Sequence, residues 1–367
     1  MRYILVSIIA LTCACASKPT AKKFELRNIS TNYLPNHLEL RSRISSVSKP
    51  LISEDKIFIA NAYDGVKAIN RSNQSVAWSN LHEGGVESGL ALRGSRLYYG
   101  ANDHYFYAVH RESGKEIWRV KVEGEVLSEP VIMGNRIYFL TGSNHLYALN
   151  MEDGKQIWRY KRNIKQDLSV RGASTPIIHN QRIYIGFSDG YFASLRLNDG
   201  SLVWERLINS NPKFKDVDAR AVIHKDRIFI SGFDSKLYAL TLSNGGILWS
   251  LEEGGVYAPT LFDDKLIYAN TEGDLLLLDA SSGKLLQRKS AKDGVYREPL
   301  LKDNLIIVGS SHGPIEIIDA ITWKTLGQYH TGLGVASKAV ISEKNRFLFV
   351  SEGSSLVEMQ YQWRRLY

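Results

Sequence analysis

Residues 134–158, GNRIYFLTGSNHLYALNMEDGKQIW, contain three strand-like runs and two turns, and variants of this stretch recur along nearly the whole chain. Arg136 to Leu140 and Leu146 to Asn150 are rich in aromatic and branched residues, as strands require, and Lys155 to Trp158 opens a third run. Asp153-Gly154 between them suits a tight hairpin turn, with Gly supplying the positive φ. Asp64-Gly65, Asp189-Gly190 and Asp199-Gly200 are turn pairs of the same kind.

Aligned on their last residue, the copies end at Trp78, Trp118, Trp158, Trp204 and Trp249, with weaker ends at Gln287 and Gly327. Twenty-eight residues upstream of these ends stand Pro50, Leu90, Pro130, Pro176, Ala221, Pro259 and Pro299, opening short runs such as EPVIM and TPIIH. Proline is tolerated at the first position of a strand and not in its middle, so this register marks a fourth strand in every unit. Four antiparallel strands per unit of about 40 residues predict an all-β chain folded as a β-propeller.

Seven units are complete, and an eighth begins at Ser337 without reaching its terminal Trp before Tyr367. An open blade would leave unpaired backbone groups at the seam. The alternating stretch His37 to Ile44 belongs to no other repeat and is expected to close the last of eight four-stranded blades as an N-terminal strand. That closure makes residues 36–367 one propeller domain. The repeated Trp has a structural reading, packing between blades, and a functional one, stacking a ligand; one per blade at one register favours packing.

Ahead of the repeats, Met1-Arg2 and the apolar run Tyr3 to Ala14 have the pattern of an export signal, and the run is too short to span a bilayer. It ends Leu11-Thr12-Cys13-Ala14-Cys15-Ala16-Ser17, which resembles the bacterial lipobox, with Cys15 as the acylated residue and Cys13 the poorer fit. Residues 1–14 are then a lipoprotein signal peptide and 15–35 an acylated tether containing Lys18, Lys22 and Lys23. No other Cys exists in the chain, so no disulfide supports the fold. The net charge of +8 is scattered without a dense stripe, which argues against nucleic acid and suits anionic lipid head groups.

The nine His residues do not cluster, and His104, His145, His179 and His224 fall at turns of the repeat. There is no zinc-type spacing, P-loop or G-x-S-x-G elbow, so no catalytic set, metal or cofactor is expected. The repeat resembles that of pyrroloquinoline-quinone dehydrogenases, which are eight-bladed as well. Those enzymes are much longer and carry calcium beside the quinone, so a shared fold does not transfer the activity.

Regularity breaks in two neighbouring links between units. The gaps from the unit's end to the next strand are 12, 12, 18, 17, 10 and 12 residues, and the long ones are RYKRNIKQDLSVRGAST (159–175) and ERLINSNPKFKDVDAR (205–220). Surplus loop on one face of adjacent blades is where a partner would bind. Leu168 and Val170 offer aliphatic anchors beside the planar donor Arg171, and Asp216 and Asp218 flank Val217 as acceptors. The competing account is that Arg171 pairs with an Asp internally and the links are drift.

On these residues the chain is similar to the BamB family, lipoprotein subunits of the outer-membrane β-barrel assembly machinery. Asp167-Leu168-Ser169-Val170-Arg171-Gly172 matches the family's L-S-L-R-G loop with Val170 for the second Leu, and Lys215 to Asp218 matches its D-V-D loop. The resemblance implies a non-enzymatic outer-membrane lipoprotein on the periplasmic side. Leu168, Val170, Arg171, Asp216 and Asp218 would then bind a POTRA domain of a BamA-like subunit, and nascent outer-membrane proteins are further candidate partners. A quinone-dependent dehydrogenase, or a propeller binding another envelope protein or cell-wall glycan, are the alternatives.

Overall fold

In a computed structural model of the chain, the residues described are 22–33, 48–62, 65–162, 173–211, 215–233 and 236–365. They form eight four-stranded antiparallel sheets, the blades of an eight-bladed β-propeller. In the third blade Val131–Met133, Arg136–Leu140, His145–Asn150 and Gln156–Lys161 run from the axis to the rim. The strands predicted from residues 134–158 are thus three of this blade's four, and the Pro-led run is its inner strand.

Burial explains the residue types. The two middle strands of a blade are covered on both faces by the neighbouring blades, so they read as continuous apolar runs; Ile137, Tyr138 and Phe139 are all fully buried. The outer strand is open to solvent except at its Trp; in the third blade only Trp158 of Gln156–Lys161 is buried. At the hairpin, Gly154 has φ 71° and the Asp153 carboxylate accepts from the Lys155 amide at 3.1 Å, so the pair serves the turn.

Each Trp belongs to the contact with the following blade. Trp78 donates its indole N–H to the carbonyl of Arg111 at 2.8 Å, Trp158 to Leu197 at 3.2 Å and Trp249 to Ala280 at 3.2 Å, each acceptor in the next blade's outer hairpin. The ring then lies on the glycine of that hairpin. Arg96, Arg136, Arg182 and Arg227, which open the second strand of blades two to five, reach carbonyls of the same hairpins at 3.1–3.4 Å.

The two weak repeats have a physical reason. In the seventh blade Trp323 takes the glycine register, with φ 59°, and packs into the cluster holding Leu277, the cross-strand partner of Gln287. The aromatic ring has moved across the joint. At Gly327 the ring is replaced by Phe24 and Leu26, which lie 3.3 and 3.4 Å from where a Cβ would sit.

Phe24 and Leu26 belong to the strand that closes the ring, Lys22–Tyr33, paired with Ser355–Arg365 from Lys22↔Arg365 to Tyr33↔Ser355. An N-terminal strand does close the last blade, but it lies in the stretch assigned to the tether. His37 to Ile44, the expected strand, lies outside the described residues. The polar residues of KFELRNIST masked its alternation: Phe24 and Leu26 pack on the seventh blade, while Lys23 and Arg27 face solvent.

Candidate partner-binding surface

Outer strands end beside the turn between the second and third strands, as His145↔Lys161 and Tyr191↔Leu207 show, so every link to the next blade leaves on that one face. The described ends of both long links therefore lie there, on blades three to five. Leu168, Val170 and Arg171 fall within 163–172, outside the described residues. The described flanks show how the links are held.

Arg162, the last described residue before the first link's centre, is clamped between blades. Its guanidinium pairs with Asp189 and, at 2.6 Å, with Glu205, and it lies 4.4 Å over the Tyr191 ring and 5.2 Å over Phe187. Burial opposes its charge, and the hydrogen bonds it donates to Glu205 and Asp189 overcome that and raise its pKa. Where the link returns, the Ser174 hydroxyl donates to the carbonyl of Ala219 at 3.1 Å, joining the first link to the second. The sequence reading missed this clamp; Arg162 lies one residue past the outer strand, where no repeat marks it.

The second link folds back over the fourth blade's turn. Ile208 and Asn209 donate their amides to the Gly190 carbonyl at 2.9 and 3.1 Å, and the Val217 amide to Phe187 at 3.2 Å. Val217 is fully buried, against Gly186, where a Cβ would lie 2.1 Å from the Val217 carbonyl oxygen. This is a repeat position: Val86, Val126 and Val335 stand in the same register before their inner strands, all fully buried, with amides bonded to the preceding turn. Val217 therefore fixes the loop, and the particular feature is its two acidic neighbours.

Those neighbours differ. Asp216 is buried, with 1% of its surface exposed, so it is not the open acceptor the sequence suggested. Asp218 is half-buried, and desolvation, followed by the repulsion of Asp216, pushes its pKa up to about 7. Asp218 shares its register with Glu87 and Leu127, which line the opening of the propeller on its axis. Around that opening charged groups pair with one another: Lys49 with Glu129 at 2.9 Å, Lys338 with Glu298, and Arg297 with Glu352 at 2.5 Å. Among the described residues no group of three or more His, Cys, Asp or Glu could hold a metal ion.

The fold and repeat define the class, an eight-bladed propeller of pyrroloquinoline-quinone-like repeats. The family model described as outer membrane protein assembly factor BamB matches residues 62–288, and the chain belongs to that family. Among solved structures, BamB from Moraxella catarrhalis superposes with a TM-score of 0.77 at 19% identity, covering 92% of this chain and 100% of that one. A europium-containing methanol dehydrogenase gives 0.75 at 11% identity, over 91% of this chain and 93% of its own. The quinohemoprotein alcohol dehydrogenase ADHIIG from Pseudomonas putida HK5 gives 0.76 at 10%, over 93% and 76%. At these identities the structural likeness speaks for the fold alone. No curated protein sequence matches the chain.

Proposed function

We propose that this protein is a non-enzymatic scaffold lipoprotein of the outer-membrane β-barrel assembly complex, anchored on the periplasmic face of the outer membrane through Cys15. It binds a POTRA domain of a BamA-like subunit through Leu168, Val170, Arg171 and Asp218, and so aids folding and insertion of outer-membrane proteins. Asp216, being buried, acts behind the surface by shaping the D-V-D loop and the charge of Asp218.

One observation carries the reading: the two links that bear the family-like motifs are the two long ones, leave adjacent blades on one face, and are bonded together through Ser174 and Ala219. The supporting test is co-purification of a BamA-like subunit from membranes. Arg171→Glu and Asp218→Ala should each lose the partner without lowering the melting temperature. Normal co-purification with both variants would refute the site. For the dehydrogenase alternative, dye reduction by purified protein supplied with pyrroloquinoline quinone and calcium is the direct assay, and no activity is expected.

A further inference from the structure

The last blade differs from the others in length. Its third strand, Ser355–Arg365, has 11 residues and its closing strand, Lys22–Tyr33, has 12, against five or six for the corresponding strands of other blades. Pairing of Ser355–Arg365 with the second strand of the blade ends at Arg346↔Gln360, and Tyr361 still bonds Asn345 through its amide and carbonyl, so Gln362 to Arg365 pair with Lys22 to Glu25 alone. This two-stranded ribbon runs about 14 Å past the four-stranded sheet. It points to the disc face opposite the long links, because the Tyr33 end of the closing strand lies on the link side.

The ribbon's composition is specific. Lys22, Lys23, Arg364 and Arg365 stand against Glu25, a net charge of +3 over eight residues. Glu25 accepts from Gln362 at 3.1 Å and pairs with Arg364 at 2.9 Å and Arg27 at 3.0 Å. Trp363 is 48% exposed, its ring edge-on to Phe24 at 5.1 Å. An open Trp with flanking cations is what the boundary between lipid head groups and acyl chains favours.

We infer that this ribbon is a membrane-contact edge that docks on an anionic phospholipid surface, with Trp363 entering the interface and Lys23 and Arg364 on the head groups. Its location relative to the bilayer rests on acylation of Cys15, from which only seven Cα–Cα steps lead to Lys22, a span of at most about 25 Å. That reach keeps the ribbon at the lipid surface and turns the opposite face, with both long links, away from it. Partner binding and membrane contact thereby use opposite faces of the disc.

The test uses the chain from Ala16 onward, which keeps every described residue and carries no acyl group, in co-sedimentation with vesicles of phosphatidylcholine with or without phosphatidylglycerol. Binding should require phosphatidylglycerol and weaken with salt. Each cation removed should cost about fivefold in binding, so Lys23→Glu with Arg364→Glu should lose at least about 25-fold. Trp363→Ser should also reduce binding at unchanged melting temperature; if it lowers melting, the charge-reversed variant decides. Equal sedimentation of wild type and the charge-reversed chain, or wild-type binding indifferent to phosphatidylglycerol, would overturn the proposal. Mass spectrometry of the full chain purified from membranes tests Cys15 separately, and an unmodified Cys15 would refute the anchor without touching the vesicle result.

Discussion

The indole of Trp118 lies over Gly154 of the next blade so closely that a Cβ on the glycine would come within 2.7 Å of the ring. The same relation joins Trp78 to Gly114, Trp158 to Gly200, Trp204 to Gly245 and Trp249 to Gly283. Two sequence features that look independent, the Trp ending one unit and the Gly in the turn of the next, are thus two halves of one contact. Stability of the ring rests on that contact being repeated at joint after joint.

Gly154→Ala and Gly134→Ala separate the two roles of glycine. Gly134 also has positive φ, 59°, but nothing lies within 4 Å of its missing Cβ. Its replacement should cost about 1 kcal/mol from backbone conformation alone. Gly154→Ala adds the clash with Trp118 and should cost about 2–4 kcal/mol. Urea unfolding midpoints of the two variants measure the difference, and equal midpoints would remove the clash from the account.

The joint between blades six and seven offers a coupled test. Gln287 holds the Trp register and Trp323 the Gly register, so the aromatic ring is supplied from the other side. Trp323→Gly alone should destabilise by about 1–3 kcal/mol, since the ring is half-buried. Adding Gln287→Trp should recover part of the loss by rebuilding the arrangement of the other joints. A double-mutant cycle by urea unfolding reads the coupling, and strict additivity would show that the two positions do not share a contact.

This exchange shows what the sequence makes legible. Five Trp ends and the Pro-led starts suffice for blade number and strand order, because radial packing repeats one residue type at one register. Gln287 and Gly327 read only as weak ends, since their compensating residues, Trp323 and Phe24, lie in another blade or at the far end of the chain. The burial of Asp216 was hidden for a related reason: it follows from Gly186, thirty residues earlier, letting Val217 approach the turn. Counting four residues back from the inner-strand start would have found Val217 as the counterpart of Val86 and Val126.

The closing strand should behave as a removable seam. Phe24→Ala with Leu26→Ala takes away the side chains that cover Gly327 and leaves the edge of Ser355–Arg365 poorly held. The pair should lower unfolding free energy by about 2–4 kcal/mol and bring concentration-dependent association through the exposed edge. Urea unfolding reads the first effect and light scattering at rising protein concentration the second. A variant that melts as wild type and stays monomeric would mean that the closing strand is held by its backbone pairing alone.

Asp218 couples the candidate surface to pH. Its folded-state pKa is pushed up to about 7, by desolvation first and Asp216 second, while the unfolded carboxyl titrates near its ordinary value of 3.8. The folded chain therefore holds more protons than the unfolded chain between these values, and stability falls as pH rises through that window. Asp218→Asn should melt above wild type at pH 8, and the gap should shrink toward pH 4 and close by about pH 3, below both values, where both states are protonated. Partner binding should move the other way. If Asp218 receives a cation from a POTRA domain, the attraction needs the carboxylate, so affinity should drop as pH falls from 8 to 6 in wild type. In Asp218→Asn it should be weak at both pH values. Calorimetric titration of a BamA-like POTRA fragment at the two pH values reads this directly, and a wild-type affinity independent of pH would take Asp218 out of the interface.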